Sequence, residues 1–289
     1  MKKTYIYTAI LALLATSGAS AFDWPLQETN SDTIISDFGQ LIGGNISTSV
    51  IYKDDAEVCS SDAGSVIAVI DDHSDDFGWF ESSLGAAAIV SHSDGLATVY
   101  ANLNSDSLQE NLGEATKIST KGKIATSGNS AWQAESNGLE FKVFDRKNLA
   151  AVNPKILMPR IAKEPHLEAG TVYLLDKNGN YHNINTEKRL APGTYFVYKL
   201  RQNKAVPYKT IVAVNGDSAE TIVYDTITEK EGKLCLSGNA SYSTKDMYPD
   251  NDKQLLAKIL LTKGQSTLTI TLVNIQENST LLNYKLDIY

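Results

Sequence analysis

The sequence predicts an all-β chain, and three observations lead to that prediction. Apolar and polar residues alternate with a period of two in one segment after another. Clusters of Gly, Asn, Asp and Ser separate these segments at short intervals, and helical periodicity is nearly absent. Because an alternating segment buries one face of a sheet, we expect short strands packed into sheets.

Five strands are predicted in the first half of the chain. They are GSVIAVID (64–71), AAIVSHS (87–93), LATVYANL (96–103), TKIST (116–120) and LEFKVFD (139–145). Helical turns are predicted only over residues 105–111 and on the approach to Pro154.

Residues 161–170 are predicted to link two domains. They belong to the segment LMPRIAKEPHLEAG, in which two prolines and mixed charges interrupt the strand pattern. Roughly eight short strands with regular turn signals follow, which is the pattern of an immunoglobulin-like β-sandwich. The sequence therefore predicts one β domain over residues 22–160 and a β-sandwich over residues 171–289.

Residues 1–21 are predicted to be a secretory signal peptide. Lys2 and Lys3 form a charged start, an apolar run follows over residues 5–15, and small residues precede a cleavage site after Ala21. The apolar run is too short to cross a bilayer, so a retained anchor is the weaker alternative. We expect an exported protein, periplasmic or extracellular, with no membrane span after cleavage.

The charge of the chain argues against two classes of partner. The formal net charge is −8, and removal of Lys2 and Lys3 with the signal peptide makes it −10. This acidic balance disfavours nucleic acids and anionic membrane surfaces as electrostatic partners. Binding through a pocket stays open.

The mature chain contains two cysteines, Cys59 and Cys235. In an oxidising compartment they could form a disulfide between the two predicted domains. Two free thiols, packed as small hydrophobic side chains, are the alternative, and the sequence leaves both open.

Five segments within residues 22–160 resemble one known family. In chain order they are DWPLQETNSDTIISDFGQ, DAGSVIAV, AIVSHSDGLATVYANL, KISTKGKIATSGNS and GLEFKVFDRKNLAAVNP. Together they resemble the lysostaphin-type (LytM-like) zinc endopeptidases, which cut peptide cross-links in bacterial cell walls. The resemblance implies a LytM-like antiparallel β-sheet domain. Residues 171–289 are similar to the β-sandwich modules that follow this domain in some exported bacterial proteins.

The positions that carry the family's zinc chemistry hold other residues here. In the family, the His and Asp of a His-x-x-x-Asp strand and the last His of a His-x-His strand hold the metal. The first His of His-x-His and a Tyr-x-His-Leu histidine assist the attacking water and stabilise the oxyanion. Zinc activates water only where about three such ligands converge. Asn102 stands at the Tyr-x-His-Leu position, and Gly138 and Glu140 stand at the His-x-His positions. The His-x-x-x-Asp pair falls on Ile46 and Val50, in a register that the sequence does not fix.

These replacements predict no zinc, no other cofactor and no catalytic residue, but a groove lined by Asn102, Gly138 and Glu140. The chain has four histidines, His73, His92, His166 and His182. His92 matches a family histidine that is not a ligand, so we expect it to be structural. The acidic run at residues 71–76, which contains His73, lacks the ligand spacing of a calcium loop and is interpreted as a solvated tip.

Three functional hypotheses follow. The first is a pseudoenzyme of the cell envelope whose groove binds or regulates cell-wall components, with peptidoglycan or an envelope protein such as a cell-wall hydrolase as partner. The second is an active zinc-dependent peptidoglycan endopeptidase with a rearranged site. The third is a purely structural envelope-assembly protein that uses the sandwich as its interaction surface. A family framework that persists while its chemical residues are replaced favours the first.

Overall fold

The fold was analysed in a computed structural model. It describes residues 22–53, 55–71, 82–131 and 137–289. Strands make up 51% and helices 6% of the structure, which confirms the all-β prediction. The predicted signal peptide, His73 and most of the acidic run lie outside the described residues.

The first half contains twelve short strands and one helix within the described residues. They are β1 (Ile34–Ser36), β2 (Leu41–Ile42), β3 (Asn45–Ile46), β4 (Ser49–Tyr52), β5 (Glu57–Cys59), β6 (Gly64–Ile70), β7 (Ala86–Ser91), β8 (Leu96–Leu103), α1 (Ser105–Leu112), β9 (Lys117–Ile118), β10 (Lys123–Thr126), β11 (Glu140–Asp145) and β12 (Ala150–Val152). Helix α1 begins where the Asn104 side chain accepts the Ser107 N–H at 3.0 Å. A 3-10 turn over Pro154–Ile156 follows β12.

The second half contains the remaining elements. They are β13 (Val172–Leu175), β14 (Tyr181–Asn183), β15 (Arg189–Leu190), β16 (Gly193–Leu200), β17 (Lys209–Val214), β18 (Asp217–Lys230), β19 (Lys233–Ser237), β20 (Ser241–Ser243), α2 (Thr244–Met247), β21 (Lys253–Leu261), β22 (Gly264–Val273) and β23 (Ser279–Ile288). Residues 161–170 contain no strand or helix. The domain bounds stay a prediction.

One large sheet runs through both halves of the chain. Its order is β15-β23-β22-β17-β18-β12-β11-β8-β7-β6-β9, with β4 also paired to β11. Strand β12 makes the connection, because Val152 pairs with Val143 of β11 on one side and with Thr226 of β18 on the other. A second sheet, β14-β13-β16-β21, packs its inner face against β17, β22 and β23. Backbone hydrogen bonds thus tie the sandwich to the first half.

The largest hydrophobic core is also shared by the two halves. Phe38 and Tyr52 of the first half belong to the same buried cluster as Tyr224 and Tyr248 of the second. At Gly39, φ is +84°, and an added Cβ would lie 2.6 Å from the Tyr224 ring, so this turn requires glycine. The Tyr248 hydroxyl donates to the carbonyl of the same Gly39. Neither half completes this core alone.

A buried ion triad reinforces the junction. The Lys155 ammonium lies 2.9 Å from Asp37 and 2.8 Å from Glu164, which lies in the predicted linker. Burial alone would lower the pKa of Lys155, but the two carboxylates outweigh it and leave that pKa raised. A buried charge in this position is tolerated because both of its counter-charges are present.

Lys199 of β16 is fully buried, and no carboxylate among the described residues forms an ion pair with it. Its ammonium donates to the carbonyls of Leu200 at 2.8 Å and Glu168 at 3.2 Å. Burial lowers its pKa from 10.5 to about 8. Above that pH the folded chain releases a proton that the unfolded chain still binds, so stability rises with pH.

We therefore predict a pH signature of Lys199. Relative to Lys199→Met, the free energy of unfolding of the unsubstituted chain should rise by about 1 kcal/mol per pH unit between roughly pH 8.5 and 9.5. Urea denaturation at a series of pH values measures this difference. Lys285→Met, at an exposed position, is the control and should give a parallel pH dependence. Parallel curves for Lys199→Met as well would contradict the prediction.

Candidate functional site

The three predicted groove positions lie around one cavity. Asn102 is near the end of β8, Gly138 precedes β11, and Glu140 opens β11. They line a cavity of about 170 Å³, which we call the Glu140 cavity. Its other lining residues are Ile35, Ser36, Ile42, Ile51 and Tyr52.

The Asn102 side chain is engaged with the backbone. Its Nδ2 donates to the carbonyls of Gly128 and Gly138, each at 3.0 Å, and its Oδ1 accepts the Ala131 N–H at 2.9 Å. The residue has φ of +63°, a conformation that asparagine tolerates better than most residues. Asn102 therefore joins three chain segments and is buried among them.

Gly138 leaves no space for a side chain. A Cβ at this position would lie 2.1 Å from the carbonyl oxygen of Tyr52, far inside van der Waals contact. The neighbouring backbone is tightly held, because the Tyr52 N–H donates to the Leu139 carbonyl at 2.9 Å and Gly138 N–H donates to Gly128 at 3.0 Å. A histidine at position 138 would require this backbone to move.

Glu140 is buried, with 4% of its surface exposed. In the sheet it pairs with Ala101 of β8 on one side and with Ile51 of β4 on the other. Its Oε1 lies 3.0 Å from the Lys142 ammonium, which extends from the same face of β11. Its Oε2 has no hydrogen-bond partner among the described residues.

The predicted register of the His-x-x-x-Asp strand is wrong. Ile46 and Val50 both lie in the large hydrophobic core, and Val50 pairs with Phe141 rather than with Glu140. The partner of Glu140 on β4 is Ile51. A shift of one residue along a strand moves a side chain to the opposite face of the sheet. The register predicted from the sequence therefore selected Ile46 and Val50, whose side chains point into the core and not towards Glu140.

Two other described histidines, His92 and His182, are engaged by neighbouring groups. His92 is buried, with Nδ1 at 3.0 Å from the Ala63 carbonyl and Nε2 at 2.9 Å from the Thr98 hydroxyl. The carbonyl can only accept, so Nδ1 carries a proton, and Nε2 forms its hydrogen bond with the Thr98 hydroxyl, which can donate or accept. This arrangement fits the structural role expected for His92. In the second half, the Nδ1 of His182 lies 3.0 Å from Glu187.

The site does not fit the zinc ion that the resemblance implies for its family. Across the described ranges, no group of three or more His, Cys, Asp or Glu side chains is placed to hold a metal ion. Around the Glu140 cavity, Asn102 is bound to backbone, Gly138 has no side chain, and Glu140 is paired with Lys142. These residues supply one carboxylate where zinc needs about three converging ligands.

Cys59 and Cys235 are both free thiols in the structure. Cys59 lies on β5 and is half-buried, whereas Cys235 lies on β19 and is buried. Burial raises the pKa of both thiols, and the Glu57 carboxylate adds to the effect at Cys59. Their environments therefore favour the protonated, unreactive form.

Comparison with known proteins finds partial similarities in sequence and in structure. A family model of an uncharacterised family matches residues 166–289. An uncharacterised protein of Treponema pallidum (strain Nichols) is 26% identical over 140 residues, which is 46% of this chain and 92% of that protein.

Within the described residues, neither helix has the length and hydrophobicity that a membrane-spanning helix requires.

Two solved structures are similar to part of the chain. A chain of the SpoIIQ–SpoIIIAH pore-forming complex is 18% identical with a TM-score of 0.37, covering 50% of this chain and 95% of that chain. A mutant catalytic domain of the prophage-encoded M23 protein EnpA from Enterococcus faecalis is 18% identical with a TM-score of 0.34. That match covers 43% of this chain and 88% of the EnpA domain. These similarities assign no activity to the chain.

We predict that Gly138→Ala strongly destabilises the protein. The new methyl group would displace the Tyr52 carbonyl and the strands on both sides, so the free energy of unfolding should fall by about 2–4 kcal/mol. The matched control is Gly44→Ala in the β2–β3 turn, where φ is +79° and no atom lies within 4 Å of the added Cβ. That change should cost only about 1–2 kcal/mol of backbone strain. Equal losses in urea denaturation would contradict the tight contact.

We also predict that Asn102→Asp destabilises the protein in a pH-dependent way. The ionised carboxylate cannot donate to Gly128 and Gly138, so the loss at neutral pH should be about 2–4 kcal/mol. Protonation of the new carboxyl restores one donor, and the deficit should shrink as pH falls. Asn129→Asp, an exposed neighbour with the same charge change, is the control. Equal denaturation midpoints for the two variants would refute the role assigned to Asn102.

Proposed function

We propose that the protein is an exported, non-catalytic LytM-like protein of the cell envelope. In this proposal the Glu140 cavity and the surface beside it bind a cell-wall component, and peptidoglycan is the first candidate. An envelope protein such as a cell-wall hydrolase is the second. The observation that carries the proposal is that each position assigned to zinc chemistry has a different physical role, while the strands that position it are intact.

The replacements support binding rather than hydrolysis. Hydrolysis of a peptide bond needs an activated water and a group that stabilises the oxyanion. At the corresponding positions, Asn102 bonds to backbone groups and Gly138 packs against Tyr52. Glu140 has its charge compensated by Lys142, which makes it suited to accept a hydrogen bond from a ligand.

The junction between the halves determines which experiments are informative. Deletion of residues 166–289 would remove Tyr224 and Tyr248 from the shared core and Ile227 from its pairing with β12. Such a truncated chain would lose its fold together with any partner. Surface substitutions in the complete mature chain are therefore the better means to separate the groove from the sandwich.

Two matched substitutions test where binding occurs. Ile42 of β2 is half-buried and lines the Glu140 cavity, whereas Leu260 of β21 is 63% exposed on the sandwich. We expect Ile42→Arg to weaken co-sedimentation of residues 22–289 with isolated sacculi by about tenfold or more, equivalent to 1.4 kcal/mol. Leu260→Arg should leave it unchanged. The opposite result would favour the structural-assembly hypothesis and contradict the proposal.

A second measurement tests the absence of catalysis. The mature chain is purified without chelators, its metal content is measured, and it is incubated with isolated peptidoglycan. We expect substoichiometric zinc and no released fragments, with or without added zinc. Stoichiometric zinc together with cleavage would support the active endopeptidase hypothesis and overturn the proposal. If sacculi do not bind, capture of an envelope protein supports the proposal only when Ile42→Arg abolishes it.

A further inference from the structure

Three residues that line the Glu140 cavity carry a buried polar atom with no hydrogen-bond partner among the described residues: Ser36, Tyr52 and Glu140. Tyr52 follows Ile51 in β4 and directs its side chain to the opposite face of the sheet, into the hydrophobic core, which leaves two such atoms on the face of the cavity. These atoms are Glu140 Oε2 and the Ser36 hydroxyl, and neither makes a hydrogen bond within the described residues. The side chains are 4% and 9% exposed, respectively, so bulk water does not solvate them freely. Because unmade hydrogen bonds of buried groups destabilise a folded chain, their position on one cavity needs an explanation.

The strand register places the two atoms on the same face of the sheet. Ser36 of β1 pairs with Ile51 of β4, and Ile51 pairs in turn with Glu140 of β11. Directly paired residues of neighbouring strands point to the same face. Ser36 and Glu140 therefore lie on either side of Ile51, and both line the Glu140 cavity.

The ion pair of Glu140 determines which oxygen is free. Lys142 lines a neighbouring cavity of about 190 Å³, together with Ile42 and Glu140, but does not line the Glu140 cavity. Oε1 is engaged by Lys142, which leaves Oε2 as the oxygen available to a ligand in the Glu140 cavity. With its charge compensated, Glu140 presents a single strong acceptor rather than an unpaired negative charge.

Another buried carboxylate shows how this fold treats a purely structural glutamate. Glu220 of β18 is 2% exposed. Its Oε1 accepts the N–H groups of Thr221 at 3.0 Å and Asn239 at 2.7 Å, and its Oε2 accepts the Tyr242 hydroxyl. Both oxygens of Glu220 are thus satisfied from within the chain, in contrast to Oε2 of Glu140.

The chemistry of the cavity selects a neutral group with one donor and one acceptor. Glu140 Oε2 can only accept a hydrogen bond, and the Ser36 hydroxyl can donate one. Ile35, Ile42 and Ile51 provide an apolar wall around them. An amide has this combination, since its N–H can donate to Glu140 while its carbonyl accepts from Ser36. A cavity of about 170 Å³ has room for a group of that size.

We infer that the Glu140 cavity binds the amide group of a ligand, with its N–H on Glu140 Oε2 and its carbonyl on the Ser36 hydroxyl. A carboxylate would place a second negative oxygen against Glu140 Oε2. An ammonium can donate to Glu140 Oε2 and to the Ser36 oxygen, but it would add a buried positive charge that nothing compensates, because Lys142 already pairs with Glu140, and the Ser36 hydrogen would stay without an acceptor. This inference rests on the proposed function in one respect, namely that the cavity is a binding site. It adds the chemical class that the site accepts.

A titration with small probes tests the inference. Residues 22–289 are labelled with ¹⁵N and titrated separately with N-methylacetamide, methylammonium and acetate. We expect saturable shifts of the backbone amide signals of Ser36, Leu139 and Glu140 with N-methylacetamide, in the millimolar range that suits so few atoms. Neither charged probe should produce a comparable saturable change.

Two variants provide the matched comparison. Ser36→Ala removes the hydroxyl that the inference uses and should weaken N-methylacetamide about tenfold or more. Thr210→Val removes another fully buried hydroxyl without a partner, on β17 and away from the cavity, and should leave the affinity unchanged. Ser36→Ala should unfold at the same temperature as the unsubstituted chain or higher, because an unsatisfied hydroxyl is lost.

Each contrary outcome overturns the inference. These outcomes are an unchanged affinity of Ser36→Ala, tighter binding of methylammonium or acetate, and no saturable response to N-methylacetamide. The last would mean that ordered water alone occupies the cavity. The two proposals can fail separately. If Ile42→Arg weakens sacculus binding but the chain shows no response to N-methylacetamide, this inference is wrong and the proposed function is still supported.

Discussion

The contact between Gly138 and the Tyr52 carbonyl fixes where strand β11 lies, and much of the structure depends on that strand. β11 begins two residues after Gly138 and pairs with β8 along one edge, while β4 and β12 share the other. Through β12 the pairing continues into β18 and the sandwich. A side chain at position 138 would push β11 away from β4, so the absence of a Cβ is a condition for the whole sheet.

The site also differs from the family it resembles in how its polar side chains are used. Zinc ligands must project into a groove and keep their lone pairs free, whereas Asn102 turns its amide towards the backbone at Gly128, Ala131 and Gly138. This arrangement holds together segments separated by up to 36 residues. The amide of Asn102 thus stabilises the fold and is not free to bind a metal or a substrate. Of the three groove residues, Glu140 is the one with a side-chain oxygen, Oε2, that has no hydrogen-bond partner among the described residues.

Sequence pattern predicted the strands that alternate and missed those that do not. LATVYANL coincides with β8, and the predicted strand over 139–145 matches β11 within one residue, because each has apolar residues at a period of two. Strand β12 is Ala-Ala-Val, buried throughout and poor in β-branched residues, so no pattern marked it. Without β12 the continuity of the two halves could not be predicted.

The side-chain contacts of the site could not be predicted from the sequence either. The hydrogen-bond partners of Asn102 are distant in sequence, and the free oxygen of Glu140 depends on the position of Lys142.

Lys155 and Glu220 differ from Glu140 in how their buried charges are satisfied, and the difference bears on the proposed function. Lys155 is matched by Asp37 and Glu164, and Glu220 has a donor for each oxygen, so these groups are explained by the folded chain alone. Glu140 has one oxygen with no hydrogen-bond partner in the part of the chain that the structure describes, and Ser36 lines the same cavity. An apolar residue at position 140 would avoid the cost of that unmatched acceptor. The retention of a half-satisfied carboxylate is therefore most simply explained if its second partner is a group from outside the chain.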